Sequence, residues 1–300
     1  MNRIKIALAL LAVILTSLAA PAMAEAPVDQ ARWADRKSFV DLPNGIRLAY
    51  VEAGNPDGEP LLLLHGYTDT SRAWTLILPY LSDYRILIPD QRGHGASSVP
   101  QCCYALADFA YDARLFLDAK GVKKATVAGH SLGSMVAQRF AADYPDRVNR
   151  VALLGSTALV PLDRDHWLFK AVESAGGRME GDPAFLAEWS PAASPTPVDE
   201  TFTRFADAET VKIAPVVWTS VLRELAALPV SRHAADVTAP VIVLSASKDV
   251  FFDERHHAAL LAAYPGAEDH VFAGLGHDFI KEKPALVGPT LARMLGGVER

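Results

Sequence analysis

The chain has 300 residues, half of them hydrophobic and 21% charged, with 35 acidic against 29 basic side chains and a net charge of −6. That length supports one large domain carrying an insertion, and the acidic balance without a basic run argues against nucleic acid and anionic membrane as partners. The two cysteines, Cys102 and Cys103, are adjacent; consecutive Cα atoms lie about 3.8 Å apart, short of the ~4.4 Å at which disulfides usually begin, so they read as two thiols or one strained vicinal bridge on a loop, with no disulfide framework and no zinc-ligand spacing.

The N-terminus reads as a targeting segment. Arg3 and Lys5 give a positive start, Ile6 to Leu15 is an apolar stretch too short for a comfortable membrane span, and Ala22-Met23-Ala24 fits the small-x-small cleavage rule. The expectation is a signal peptide over residues 1–24, cleaved near Ala24, and a secreted or periplasmic protein without a membrane anchor. Removing Arg3 and Lys5 leaves 27 basic against 35 acidic residues, a net charge of −8.

Ala26 to Arg36 is polar and uneven and reads as a loose leader. Ser38 to Asp41 and Ile46 to Glu52 alternate around Pro43-Asn44-Gly45, the pattern of a hairpin with an Asn-Gly turn. Leu61 to Leu64 is continuously apolar, as in a strand covered on both faces. Ser71 is placed to cap a helix running through Trp74 and Leu78, and Arg85 to Pro89 is the next buried strand, followed by the glycine-rich loop Asp90-Gln91-Arg92-Gly93-His94-Gly95. Ala107 to Lys120 has helical spacing. An apolar run from Ala125 then leads into Gly129-His130-Ser131-Leu132-Gly133, a helical pattern from Met135 to Tyr144 follows, and Val148 to Leu154 is again a buried strand. This alternation predicts a mostly parallel sheet with helices on both faces.

Between Ser156 and about His233 the rhythm breaks into amphipathic pieces, Asp165 to Ser174, Pro183 to Trp189, Glu200 to Ala208 and Ala214 to Ala227, which read as a helical cap over the carboxyl edge of the sheet. Pro240 to Ser245 then reads as a strand, Asp253 to Ala263 as a helix, Ala267 to Phe272 as a strand and Pro284 to Leu295 as a final helix. One α/β domain, residues 25–300 with the cap over about 156–233, is the resulting division.

The Gly-x-Ser-x-Gly stretch carries the chemistry. A serine at a strand-to-helix turn is held in a strained conformation that clears its hydroxyl from the sheet, and a helix starting there aims its free N–H groups at the site. A serine is a weak nucleophile and needs a base, an orienter and oxyanion donors. Asp249, four residues past one strand, and His277, past the next, supply them in the order Ser, Asp, His; the backbone N–H groups of Tyr67 and Leu132 are the expected oxyanion hole. Asp253 fits a helix cap better than Asp249 does. His256 and His257 look like surface residues, His94 reads as structural or site-lining, and His130 is expected to pack beneath the turn. His65, Trp167, Trp189 and Trp218 are the expected substrate-binding residues, and no metal ligand set is read from the spacing.

Leu61-Leu62-Leu63-Leu64-His65-Gly66-Tyr67, Asp90 to Ser97, Gly129 to Gly133, Asp249 and Gly276-His277 together resemble the α/β-hydrolase fold from about Phe39 to Leu295. The resemblance implies an eight-stranded sheet with a cap after the sixth strand. It lies with the branch of small esterases, lactonases, haloperoxidases, carbon–carbon bond hydrolases, epoxide hydrolases and haloalkane dehalogenases. The last two carry aspartate where this chain has Ser131, so acyl chemistry is implied. Two positions depart from the pattern: Ala246 and Ser134 stand where the family often has glycine. The expected function is a cofactor-free serine hydrolase of small carboxylic esters or lactones. Amidase, carbon–carbon hydrolase or perhydrolase chemistry on the same triad, or a slow or non-catalytic ligand-binding member, are the alternatives.

Overall fold

The computed structural model describes residues 26–162, 164–175, 194–227 and 229–296. The expected signal segment and the predicted piece Pro183 to Trp189, with the candidate wall residue Trp189, lie outside the described residues.

The strands are β1 (Ser38–Asp41), β2 (Arg47–Gly54), β3 (Pro60–Leu64), β4 (Arg85–Pro89), β5 (Ala125–His130), β6 (Val148–Leu154), β7 (Val241–Ala246) and β8 (Glu268–Phe272). They form one eight-stranded sheet in the order β1-β2-β4-β3-β5-β6-β7-β8. β2 runs antiparallel to both β1 and β4, and the remaining pairs are parallel. The helices α1 (Leu106–Ala119), α2 (Leu132–Asp143), α3 (Trp167–Ala175), α4 (Glu200–Thr210), α5 (Pro215–Leu225), α6 (Glu254–Ala263), α7 (Phe279–Glu282) and α8 (Pro284–Met294) complete the described elements.

The unbroken apolar run of β3 has a direct cause. Leu62 and Leu64 pack into one core with Phe116, Val136 and Phe140, while Leu61 and Leu63 pack into a second with Trp74, Phe279 and Leu291. Each face of the sheet is covered, so alternation is lost. Parallel strands in near-common register then bring their carboxyl ends into one row: Leu64 opposes Gly129, His130 opposes Leu154, Leu154 opposes Leu244, and Ala246 opposes Phe272. The loops leaving these ends carry the candidate site.

Two expectations are corrected. Residues 26–36 are not a loose leader: Gln30–Arg32 and Ala34–Arg36 are short 3-10 turns, and Trp33 is fully buried, its Nε1 donating to Ser71 Oγ at 3.2 Å. The helix expected from Ser71 to Leu78 is instead two 3-10 turns, Ser71–Trp74 and Leu78–Tyr80, capped by Thr70, whose Oγ1 accepts from Arg72 N at 3.2 Å. Ser71 is the first residue inside the turn rather than its cap: its hydroxyl accepts from Trp33 Nε1, and its N–H donates to the buried Asp90 carboxylate at 2.9 Å. That carboxylate also accepts from Ala96 N at 2.9 Å and from Lys37 Nζ at 2.7 Å. Cys102 and Cys103 are joined to each other in an exposed loop.

Both glycines flanking Ser131 are sterically required. A Cβ on Gly129 would lie 2.1 Å from Gly133 O, and one on Gly133 would lie 2.1 Å from Leu64 O. These are backbone atoms that cannot swing away. Gly133→Ala is therefore expected to lower stability by about 3 kcal/mol or more. Gly121→Ala, at φ +66 with nothing within 4 Å, is expected to cost only the roughly 1–2 kcal/mol of left-handed backbone. Urea midpoints of the two variants check the difference, and equal losses would show that close approach at the turn is not the reason for Gly133.

Candidate active site

Ser131 sits between β5 and α2 with φ 52° and ψ −122°. A non-glycine residue there is strained by roughly 1–3 kcal/mol. Its N–H donates to Leu154 O at 2.9 Å, which ties the turn to the end of β6. Leu132 opens α2, so its N–H is among the first-turn groups with no acceptor inside the helix. The loop after β3 lies against the same turn: a Cβ on Gly66 would be 3.3 Å from Ser131 Cβ. Tyr67 follows, its hydroxyl donating to Trp218 O at 2.7 Å.

Asp249 and His277 leave the ends of β7 and β8 and meet. His277 Nδ1 lies 2.7 Å from Asp249 Oδ2, with both side chains buried. The other carboxylate oxygen, Oδ1, accepts from Phe251 N at 2.8 Å and Phe252 N at 2.9 Å. Nδ1 is thus committed, and Nε2 is the ring nitrogen left to act as a base. Burial pulls the His277 pKa down, but the charge and hydrogen bond of Asp249 outweigh it, so the pKa is raised from its ordinary 6.5. Asp253 caps α6, its Oδ1 accepting from Arg255 N at 3.0 Å and His256 N at 3.2 Å.

Ser131 and His277 line one cavity of about 100 Å³. Its apolar wall comes from Met135, Leu162, Leu168, Leu225, Phe251 and Phe252. The last two rings stand edge-on to the His277 ring, at centroid distances of 4.9 and 5.3 Å. The polar end is built around Lys281. Its ammonium lies 2.9 Å from Asp69 Oδ1 and 2.9 Å from Asp278 Oδ1, and Ser194 Oγ donates to Asp278 Oδ2 at 3.2 Å. Burial opposes both charges, but the mutual attraction prevails: Lys281 is held well above the usual lysine range and Asp278 well below the usual carboxylate range. Asp69, His130 and Asp278 have ligand atoms within 4.8 Å of one another. The Lys281 ammonium already supplies positive charge to both carboxylates. This grouping joins residues distant in sequence, which spacing alone does not reveal.

The expected substrate-binding residues fare differently. His65 does not line the cavity. It is fully buried, its Nδ1 donates to Gly66 O at 2.9 Å and its Nε2 accepts from Gln91 N at 2.9 Å, and burial drives its pKa down to about 4. Trp218 is also fully buried, one layer behind the cavity, with its ring 5.5 Å from that of Tyr67. Trp167 is 40% exposed and stacks beside His166 and Phe251, while its neighbour Leu168 takes the cavity position. His94 is buried and structural, with Nδ1 donating to Arg92 O at 2.9 Å. His256, expected at the surface, is buried because its Nδ1 meets Thr157 Oγ1 at 2.7 Å; His257 faces Asp269 at 2.9 Å. Sequence reasoning missed Phe251, Phe252, Asp69, Asp207, Asp278 and Lys281. The only signal was the spacing of Asp278 and Lys281, one helical turn apart next to His277.

Ser134, one of the departures from the family pattern, is accommodated by hydrogen bonds. Its hydroxyl donates to Ser131 O at 2.6 Å and meets Ser156 Oγ at 2.7 Å, and Gln138 continues the chain to Thr157 O at 3.1 Å. The turn is thereby linked to the first residues after β6.

Comparison with known proteins agrees with this architecture. A family model described as the alpha/beta hydrolase fold matches residues 59–284. An uncharacterized protein of Mycobacterium tuberculosis is 29% identical over 85% of this chain and 80% of its own length. Epoxide hydrolase A of the same organism is 38% identical over 39% of this chain and 37% of its own. The crystal structure of the enol-lactonase from Burkholderia xenovorans superposes with a TM-score of 0.77 at 22% identity, covering 86% of this chain and all of that one. With the sheet order, the strand-end loops and the match over most of its length, the chain belongs to the alpha/beta hydrolase fold family and is a hydrolase.

Proposed function

We propose that the protein is a secreted or periplasmic serine hydrolase that cleaves small carboxylic esters or lactones. The observation that carries this reading is the shared cavity: Ser131, at a positive φ, opens onto the space that His277 lines, and His277 is held by Asp249 at 2.7 Å. Ser131 attacks the carbonyl carbon while His277 Nε2 takes its proton. Asp249 orients the imidazole and stabilises the imidazolium. The N–H groups of Tyr67 and Leu132 bind the oxyanion. His277 then protonates the leaving alcohol, and water, deprotonated by the same imidazole, releases the acid from the acyl-enzyme. Ser131, rather than an aspartate, argues against the alkyl-enzyme chemistry of epoxide opening. A fluorophosphonate label on Ser131 together with turnover of p-nitrophenyl acetate tests the reading. A folded protein that does neither overturns it, and product analysis over esters, lactones, amides and 1,3-diketones assigns the bond cleaved.

The pH dependence follows from His277. Its protonated form cannot accept the serine proton, so kcat/KM falls as pH drops through its pKa. That pKa is raised above 6.5, so the acidic limb of kcat/KM is expected above pH 6.5. In Asp249→Asn the His277 pKa, followed by imidazole NMR titration, is expected to move down, because the charge and hydrogen bond that chiefly oppose burial are lost. A wild-type limb below 6.5 would mean that Asp249 does not act on the base.

A further inference from the structure

The polar end of the cavity has acceptors in excess of donors. Lys281 is shared between Asp69 and Asp278. Asp207, on α4 above the sheet edge, also lines the cavity, and among the described residues its carboxylate makes no hydrogen bond or ion pair. Among the described lining residues, three carboxylates against one ammonium give a net charge of about −2 when all are ionised. Of the lining hydroxyls, Thr203 Oγ1 donates to Asp199 O at 3.0 Å and Thr210 Oγ1 to Thr68 O at 3.1 Å, while Ser194 Oγ gives Asp278 a neutral donor and no charge.

His130 adds a further, independent acceptor. Its Nε2 lies 2.9 Å from His277 O, and a carbonyl only accepts, so Nε2 carries the proton. Nδ1 therefore presents a lone pair, and among the described residues it is buried without a hydrogen-bond partner. It lies beside the Asp69 carboxylate, since a Cβ on Gly66 would be 3.1 Å from Asp69 Oδ2 and 3.4 Å from His130 Nδ1. A buried acceptor without a donor is costly to leave unmet, and His130 also lines the cavity. Burial raises the Asp207 pKa, with Lys281 opposing it, as expected of a carboxylate that lacks a cation of its own.

We propose that the cavity selects esters whose acyl or alcohol part carries a protonated amine, and that Asp207 is the specificity-determining residue that receives it. The group supplies what the polar end is short of, positive charge and N–H donors beyond those of Lys281. A substrate carrying a carboxylate at the same place is disfavoured by the same surplus. This selectivity rests on the reading of Ser131 as the site of ester cleavage.

The test uses pairs that differ in charge and hardly in shape. On the alcohol side, protonated 2-(dimethylamino)ethyl acetate is compared with 3-methylbutyl acetate. On the acyl side, β-alanine ethyl ester is compared with ethyl butyrate and with monoethyl succinate. In at least one pair the ammonium ester is expected to have a kcat/KM about 10-fold or more above its neutral partner, with monoethyl succinate below ethyl butyrate. Asp207→Asn is expected to shrink the ammonium preference to within about 2-fold, and Asp207→Glu, which keeps the charge, to retain most of it. Binding of the same esters to the Ser131→Ala protein, followed by calorimetry, reads the preference without turnover. If wild-type turnover is absent while the binding preference stands, the Ser131 reading fails and the charge selectivity holds. Equal rates and equal binding within both pairs, or a preference that survives Asp207→Asn, would overturn the assignment.

Discussion

Ser131→Ala is expected to leave the protein folded and to lower kcat on p-nitrophenyl acetate by roughly 10⁴-fold or more. Alanine has a Cβ like serine, so it inherits the same φ of 52° and adds no new strain. The N–H bond from residue 131 to Leu154 O is also kept. Only the hydroxyl is lost, and with it the covalent step. What remains, an oxyanion site and an oriented cavity, retains some rate over water, so kcat should fall steeply without reaching zero. Matching circular dichroism and urea midpoints establish the fold. A folded variant with near-normal turnover would remove Ser131 from the mechanism.

Asp249→Asn should lower kcat by about 10⁴-fold, and the reason can be read from its hydrogen bonds. Oδ1 receives two backbone N–H groups, from Phe251 and Phe252, so the amide oxygen of an asparagine must take that position. Its NH2 then faces His277 Nδ1, 2.7 Å away in the wild type. His277 has to present a lone pair at Nδ1 and carry its proton on Nε2, which is the tautomer that cannot accept from Ser131. The comparison is Asp253→Asn, which keeps the acceptor oxygen that caps α6 and should change kcat little, with a stability loss below about 1 kcal/mol. A mild Asp249→Asn beside a severe Asp253→Asn would mean that the acid has been assigned to the wrong carboxylate.

These two carboxylates also mark how far local sequence can reach. Asp253 stands directly before a helical pattern, where a cap is expected, and Asp249 stands in a loop with no helix to start. Chain-local rules separated them. No such rule separated the histidines. His256 lies on a helix amid charged neighbours and reads as exposed, yet it is buried against Thr157, 99 residues earlier in the chain. Trp167 and Trp218 do not line the cavity for a related reason. Trp218 and Trp167 have the size and polarity of wall residues, but which face of a cap helix meets the cavity depends on how that helix sits on the sheet. Leu168, one residue from Trp167, took the place.

By itself the sequence determined the sheet, the turn at Ser131 and the strand ends from which Asp249 and His277 leave. Each of these is set by interactions short in sequence: apolar runs that need cover on both faces, and glycines whose missing Cβ lets backbone pass within van der Waals contact. Only the tertiary structure decided the polar end of the cavity. Asp69, Asp207, Asp278 and Lys281 come from a strand-end loop, a cap helix and the stretch after β8, and 212 residues separate Asp69 from its partner Lys281. Their charges act through space in a partly dry cavity, where Coulomb interactions are strong and reach several ångströms. What they favour is therefore a property of their convergence, which no single stretch of the chain records.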